Sequence, residues 1–126
     1  MPTPVPILID DGEALHRRIH PSFEKGDGSI SSQAFTGTQT SADRAAYREI
    51  QETMRGFEDY GLASLLTSTA RSLGQAVVSD KDMFNEAHAL IEGTKTKSTS
   101  RKLARASTWV IRIPQENGDG AEDGAE

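Results

Sequence analysis

Residues 15–20, LHRRIH, alternate along an extended chain, with Leu15, Arg17 and Ile19 facing one way and His16, Arg18 and His20 the other. Pro21 has no N–H for a ladder, so it ends this strand or keeps it at an edge. Polar residues this dense beside Ile19, Phe23, Ile30 and Phe35 describe a polar surface held on a small apolar core. The core has to be small, because 35% of the chain is hydrophobic and 6% aromatic. Residues 24–28, EKGDG, read as a turn, and residues 29–35 as the returning arm of a hairpin with Ser31 and Ser32 on its wet face.

Ser41 then opens the clearest helix, its hydroxyl accepting from the first turn and Asp43 favouring the positive end of the dipole. Tyr47, Ile50, Met54 and Phe57 recur at helical spacing and predict one buried stripe, stopping before Gly61. Residues 62–66 predict a strand followed by a short helix from Ser68. The alternative is one continuous helix over 62–73, since periodicity alone does not separate the two for short runs. Strands are expected at 76–78, 88–91 and 109–113, with a loop or helical turn at 80–86. A second helix, capped by Ser98 or Thr99, runs to Ala106 with Leu103 and Ala106 inward. The order predicts an α+β domain over residues 13–114, with a small mixed or antiparallel sheet and two to three helices.

Prolines at 2, 4 and 6 make residues 1–12 an extended arm, of which residues 7–9 can dock on the body. Residues 115–126, QENGDGAEDGAE, carry five acids, no base and no large apolar side chain. They read as a disordered acidic tail, able to raise solubility or to mask nearby bases. The net charge of −5 belongs to this tail: without its five acids, 14 acids face 14 bases. The absence of cysteine excludes a disulfide framework and a zinc–thiolate site. No apolar run approaches the ~20 residues that span a bilayer, and residues 1–10 do not form a secretory signal. The expected setting is the cytoplasm, without a membrane anchor.

Two basic groups stand out. Arg44 would most simply pair with Asp43 at a helix start. If it instead faces Arg17 and Arg18, three guanidiniums make a pocket for phosphate or carboxylate. Residues 95–112 hold six bases and no acid, with Arg101 and Arg105 on one helix face suited to a phosphate backbone or an acidic protein partner. Trp109 reads as core. His16 and His20 lie ~13 Å apart on a strand, too far to share a metal, so no metal site and no cofactor is expected. His88, in AHAL, reads as a core histidine with a hydrogen-bonded ring; alternatively, His20 and His88 move protons. Gly-x-Ser-x-Gly, Ser-x-x-Lys, phosphate-loop, helix-turn-helix and RNA-recognition patterns are all missing.

The ordered words LHRRIHP (15–21), SSQAF (31–35), SADRA (41–45), TSTARSLGQ (67–75), AHALIEG (87–93) and the segment 95–109 resemble a family of small bacterial proteins with no assigned reaction. The resemblance implies one bacterial domain and supplies no catalytic residue. Two functions stand side by side. One is a non-catalytic binding or accessory subunit docking through Arg101 and Arg105. The other is a nucleotide- or RNA-phosphate-binding enzyme or sensor, with Arg17, Arg18 and Arg44 holding the phosphate.

Overall fold

The computed structural model describes residues 4–115; the tail expected from residue 116 onward lies outside them. The fold is α+β, a six-stranded sheet with three helices. Its strands are β1 (Ala14–Ile19), β2 (Gln39–Arg44), β3 (Gly61–Leu66), β4 (Ala76–Ser79), β5 (His88–Glu92) and β6 (Thr108–Ile111). They lie in the order β4-β5-β2-β1-β3-β6, and every neighbouring pair is antiparallel. The helices are α1 (Ile50–Thr53), α2 (Thr67–Ser72) and α3 (Lys97–Ala106). No helix among the described residues is long and apolar enough to cross a membrane.

Leu15 and Ile19 of β1, Ala63 and Leu65 of β3, and Ala89 and Ile91 of β5 project to one side. Ala70 of α2, Leu103 and Ala104 of α3, and Ile9 of the arm close over them. The α3 helix begins two or three residues earlier than the Ser98 or Thr99 cap predicts, because Thr96 accepts from the Thr99 N–H at 3.1 Å. It buries Leu103 and Ala104, while Ala106 is exposed. Of the two readings of residues 62–73, strand then helix is the one observed.

Two segments depart from the sequence reading. Residues 29–35 do not return as a strand: after a single bridge between Glu24 and Ile30 they form a 3-10 turn, Ser32–Phe35. The Ser31 hydroxyl accepts from the Gln33 N–H and starts that turn, and Ala34 and Phe35 plug the core. Ser100 of α3 locks it by donating to the Phe35 carbonyl at 2.7 Å.

Residues 41–44 are strand, not helix. Burial of Thr40, Ala42 and Arg44 on alternate positions, with β1 and β5 on either side, overrides the local capping signal. A 3-10 turn, Ala45–Tyr47, and the four-residue α1 follow. Met54 is buried, but Tyr47 and Ile50 are exposed, so the predicted stripe does not exist.

Arg44 is the largest fully buried side chain, at 0% exposure. It does not pair with Asp43. Its Nε and Nη2 donate to both carboxylate oxygens of Glu13, at 2.8 and 2.7 Å. It also donates to the Pro6 and Leu8 carbonyls, and its guanidinium stacks 4.6 Å from the Tyr47 ring. The arm is thereby held, with Val5 and Ile9 buried. Further along, the Ser68 N–H donates to the Asp11 carbonyl and Arg71 pairs with Asp11.

Hydrogen bonds from Arg44 hold the Glu13 carboxyl below the ordinary carboxylate range. Its ionised form therefore stabilises the fold above that range, and the contribution is lost as pH falls through the folded-state value. Glu13→Gln leaves a buried guanidinium without its counter-charge and is expected to cost about 3 kcal/mol. Urea unfolding from pH 7 to pH 3 checks this: the acid-dependent loss is expected to be smaller in Glu13→Gln than in the native chain.

Candidate functional site

Alternation on β1 separates the two adjacent arginines. Arg17 shares the core side with Leu15 and Ile19, while Arg18 shares the outer side with His16. His16 stands opposite Ser64 of β3 and Asp43 of β2, and Asp43 stands opposite His88 of β5. The register thus lays Ser64, His16, Asp43 and His88 in one row across four strands. Cross-strand neighbours of this kind have Cβ atoms about 4.5–5.5 Å apart.

A cleft of about 350 Å³ opens on this face. Its position follows from a splay between β1 and β2, whose pairing is limited to Leu15 with Arg44 and His16 with Asp43. Beyond that point the Arg17 side chain bridges the gap, with Nε donating to the Ala34 carbonyl at 2.6 Å and Nη1 to the Ser41 carbonyl at 2.8 Å. Burial, with Arg18 beside it, brings the Arg17 guanidinium down to about 10, so it stays charged at neutral pH. Segment 45–60 crosses the outer face and supplies the far wall through Thr53, Phe57 and Tyr60.

Arg18 lies in this cleft with its guanidinium 3.9 Å from the Phe57 ring centroid, and its Nη1 donates to the Thr53 carbonyl at 2.9 Å. It makes no ion pair among the described residues. The acid of the cleft is already engaged: Asp43 is buried and accepts from Arg48 at 2.9 Å, Thr53 at 3.1 Å and Asn85 at 2.8 Å. One carboxylate is matched by Arg48, which leaves Arg18 as a half-buried positive charge without an acidic partner.

Three histidines line the same space. The Nδ1 of His20 accepts from the Ser22 N–H at 3.0 Å, so the neutral ring carries its proton on Nε2. The ring meets Tyr60 edge-on, with centroids 5.2 Å apart. His88 is half-buried on the sheet face rather than in the core, with Nδ1 3.0 Å from Asp80 Oδ2. His16 is also half-buried, and its Nδ1 is shut from solvent without a partner. Among the described residues no three His, Asp or Glu side chains are placed to hold a metal ion.

The three-arginine pocket, the alternative to an Asp43–Arg44 pair, is not formed. Arg44 serves the arm, while Arg17 and Arg18 both line the cleft with His20 and His88, the Arg17 guanidinium being spent on the Ala34 and Ser41 carbonyls. Arg101 and Arg105 lie elsewhere, on α3 beyond the core face. His16, Ser41, Asp43 and Tyr60 complete the cleft without having been singled out for it. Alternation on β1 could have found His16, whereas Asp43 was hidden by reading its strand as a helix start.

Compared with protein families, curated proteins and solved structures, the chain has no match. The reading of the cleft therefore rests on its geometry.

Burial holds His16 below the ordinary histidine value of 6.5, with the Asp43 charge opposing the shift. Protonating His16 therefore favours the unfolded chain, and the stability it confers is lost as pH falls from about 6.5 through the folded-state value. In an NMR titration His16 is expected to have a midpoint below 6.5. Asp43→Asn is expected to lower it further by removing the opposing charge.

Proposed function

We propose that the protein is a small cytoplasmic binding module whose sheet-face cleft holds a small-molecule ligand by an oxyanion group, phosphate or carboxylate. The observation that carries this reading is Arg18: a half-buried guanidinium with one hydrogen bond to a carbonyl and no carboxylate partner among the described residues. A guanidinium has five N–H donors in a fork that suits two oxygens of one anion. Phe57 fixes the plane of the fork, and Ser41, His20 and Tyr60 line the space an anion would enter.

A volume of about 350 Å³ lies at the lower end of the range for small-ligand sites. Phe23, Phe57 and Tyr60 add an apolar rim, suited to a ligand with an unsaturated or ring-bearing body.

Binding of inorganic phosphate tests the reading. Signals of Arg18 Nε–H, His16 and His20 are expected to shift on titration. Arg18→Gln is expected to weaken binding about tenfold or more, corresponding to the loss of a charge-assisted hydrogen bond of ~1.5–3 kcal/mol. Unchanged spectra, or shifts that persist in Arg18→Gln, refute it.

A second reading, proton transfer to a bound phosphate ester, is favoured by His20 and His88 lining the same cleft. It requires turnover that His20→Gln or His88→Gln removes while phosphate binding persists.

A further inference from the structure

On the other side of the molecule a groove of about 950 Å³ runs between α3 and the turn at residues 25–32. Arg101 and Arg105 form one wall, one helical turn apart and both exposed. Lys25 stands on the turn opposite, also exposed. None of the three makes an ion pair among the described residues. The groove's acid, Asp27, is tied to its own turn by the Ser29 N–H at 3.0 Å and hydroxyl at 2.6 Å.

The turn is a fixed wall. Trp109 Nε1 donates to the Gly28 carbonyl at 2.9 Å, and Arg112 pairs with Glu24. Arg112 also lies 5.3 Å from the Trp109 ring centroid. The same tryptophan packs over Gly61, where a built Cβ would stand 2.6 Å from its ring. The aromatic side chain in the groove is therefore engaged on its edge and its face, and offers no platform for stacking bases. Guanidiniums, hydroxyls and no open aromatic surface fit carboxylates on a peptide better than a nucleic acid.

We propose that this groove binds the chain's own acidic segment, residues 116–126. That segment carries Glu116, Asp119, Glu122, Asp123 and Glu126, and no base. The described chain ends at Gln115, seven residues beyond Thr108 on the groove wall. Seven residues of extended chain span about 23 Å, and the eleven that follow can reach about 36 Å, enough to come back to Arg101. Tethering supplies an effective concentration in the millimolar range, so exposed charge pairs that are weak singly suffice for occupancy. The groove is then self-masked, and a competing polyanion has to displace residues 116–126 to reach Arg101 and Arg105.

The chain has no cysteine, so Ala125→Cys takes a single spin label in the otherwise full chain. At ~0.02 M salt the label is expected to reduce amide signals of residues 25–32 and 101–108 about twofold or more, with recovery at ~0.5 M salt as the charges are screened. Arg101→Gln with Arg105→Gln is expected to abolish the effect. Both side chains are exposed, and unchanged amide positions outside the groove verify that the variant is folded. Absence of the effect at low salt, its persistence in the double variant, or its spread evenly over the surface overturns the proposal. Broadening of isotope-labelled chains by separate spin-labelled chains, at the strength seen within one chain, also overturns it and assigns the contact to a second copy.

Discussion

A guanidinium at zero exposure is the condition around which the rest of this fold is arranged. Arginine does not shed its proton in a protein, so burying Arg44 without a counter-charge would cost several kcal/mol. Glu13 supplies the charge through two parallel hydrogen bonds, and the Pro6 and Leu8 carbonyls take further donors. Those partners all lie before β1 in the chain. The arm is therefore part of the fold, and its docking buries Val5 and Ile9 as well. Leu15 opposite Arg44 also sets the register in which His16 meets Asp43. A slip of one residue would turn His16 and Arg18 into the core and Leu15 out to solvent.

The second arginine of consequence, Arg17, acts where the β1–β2 ladder stops. Its side chain donates to one carbonyl on β2 and one on the Ser32–Phe35 turn, replacing ladder bonds that the splay leaves unmade. The gap is thereby kept open without stranding backbone acceptors. A third arginine, Arg48, matches the charge of Asp43. Arg18 is then left without an acidic partner, and its guanidinium, with one hydrogen bond to the Thr53 carbonyl, has fewer of its donors engaged than that of Arg17 or Arg44.

Much of the sheet was legible from the sequence. Alternation in residues 15–20, the apolar run at 62–66, and the short β-branched or apolar stretches at 76–78 and 88–91 all became strands. The α3 helix was also visible, because its apolar side and basic side are segregated within ten residues. Residues 41–44 were misread because Ser, Ala, Asp and Arg suit a helix start as well as a strand flanked on both sides. What decides between them is the non-local pairing with β1 and β5. For the same reason the site was half legible. Arg17, Arg18, His20 and His88 line it, while Arg44 belongs to the arm. Nothing local to SADRA shows that its arginine requires Glu13, which lies 31 positions away.

The two cationic sites occupy opposite sides of the sheet and work in different dielectric surroundings. Arg18 sits in a half-enclosed cleft against Phe57, where water competes poorly and salt screens little. An anion there gains from orientation as well as charge, because the stacked fork is already planar and held. Arg101 and Arg105 stand exposed on α3, where each charge is well hydrated and a single pair is worth at most about 1 kcal/mol. Such a surface needs several charges on its ligand, or a tether, before it is occupied. These surroundings suit the compact oxyanion proposed for the first and the acidic chain proposed for the second. The core separates the two, so a ligand in one does not obstruct the other.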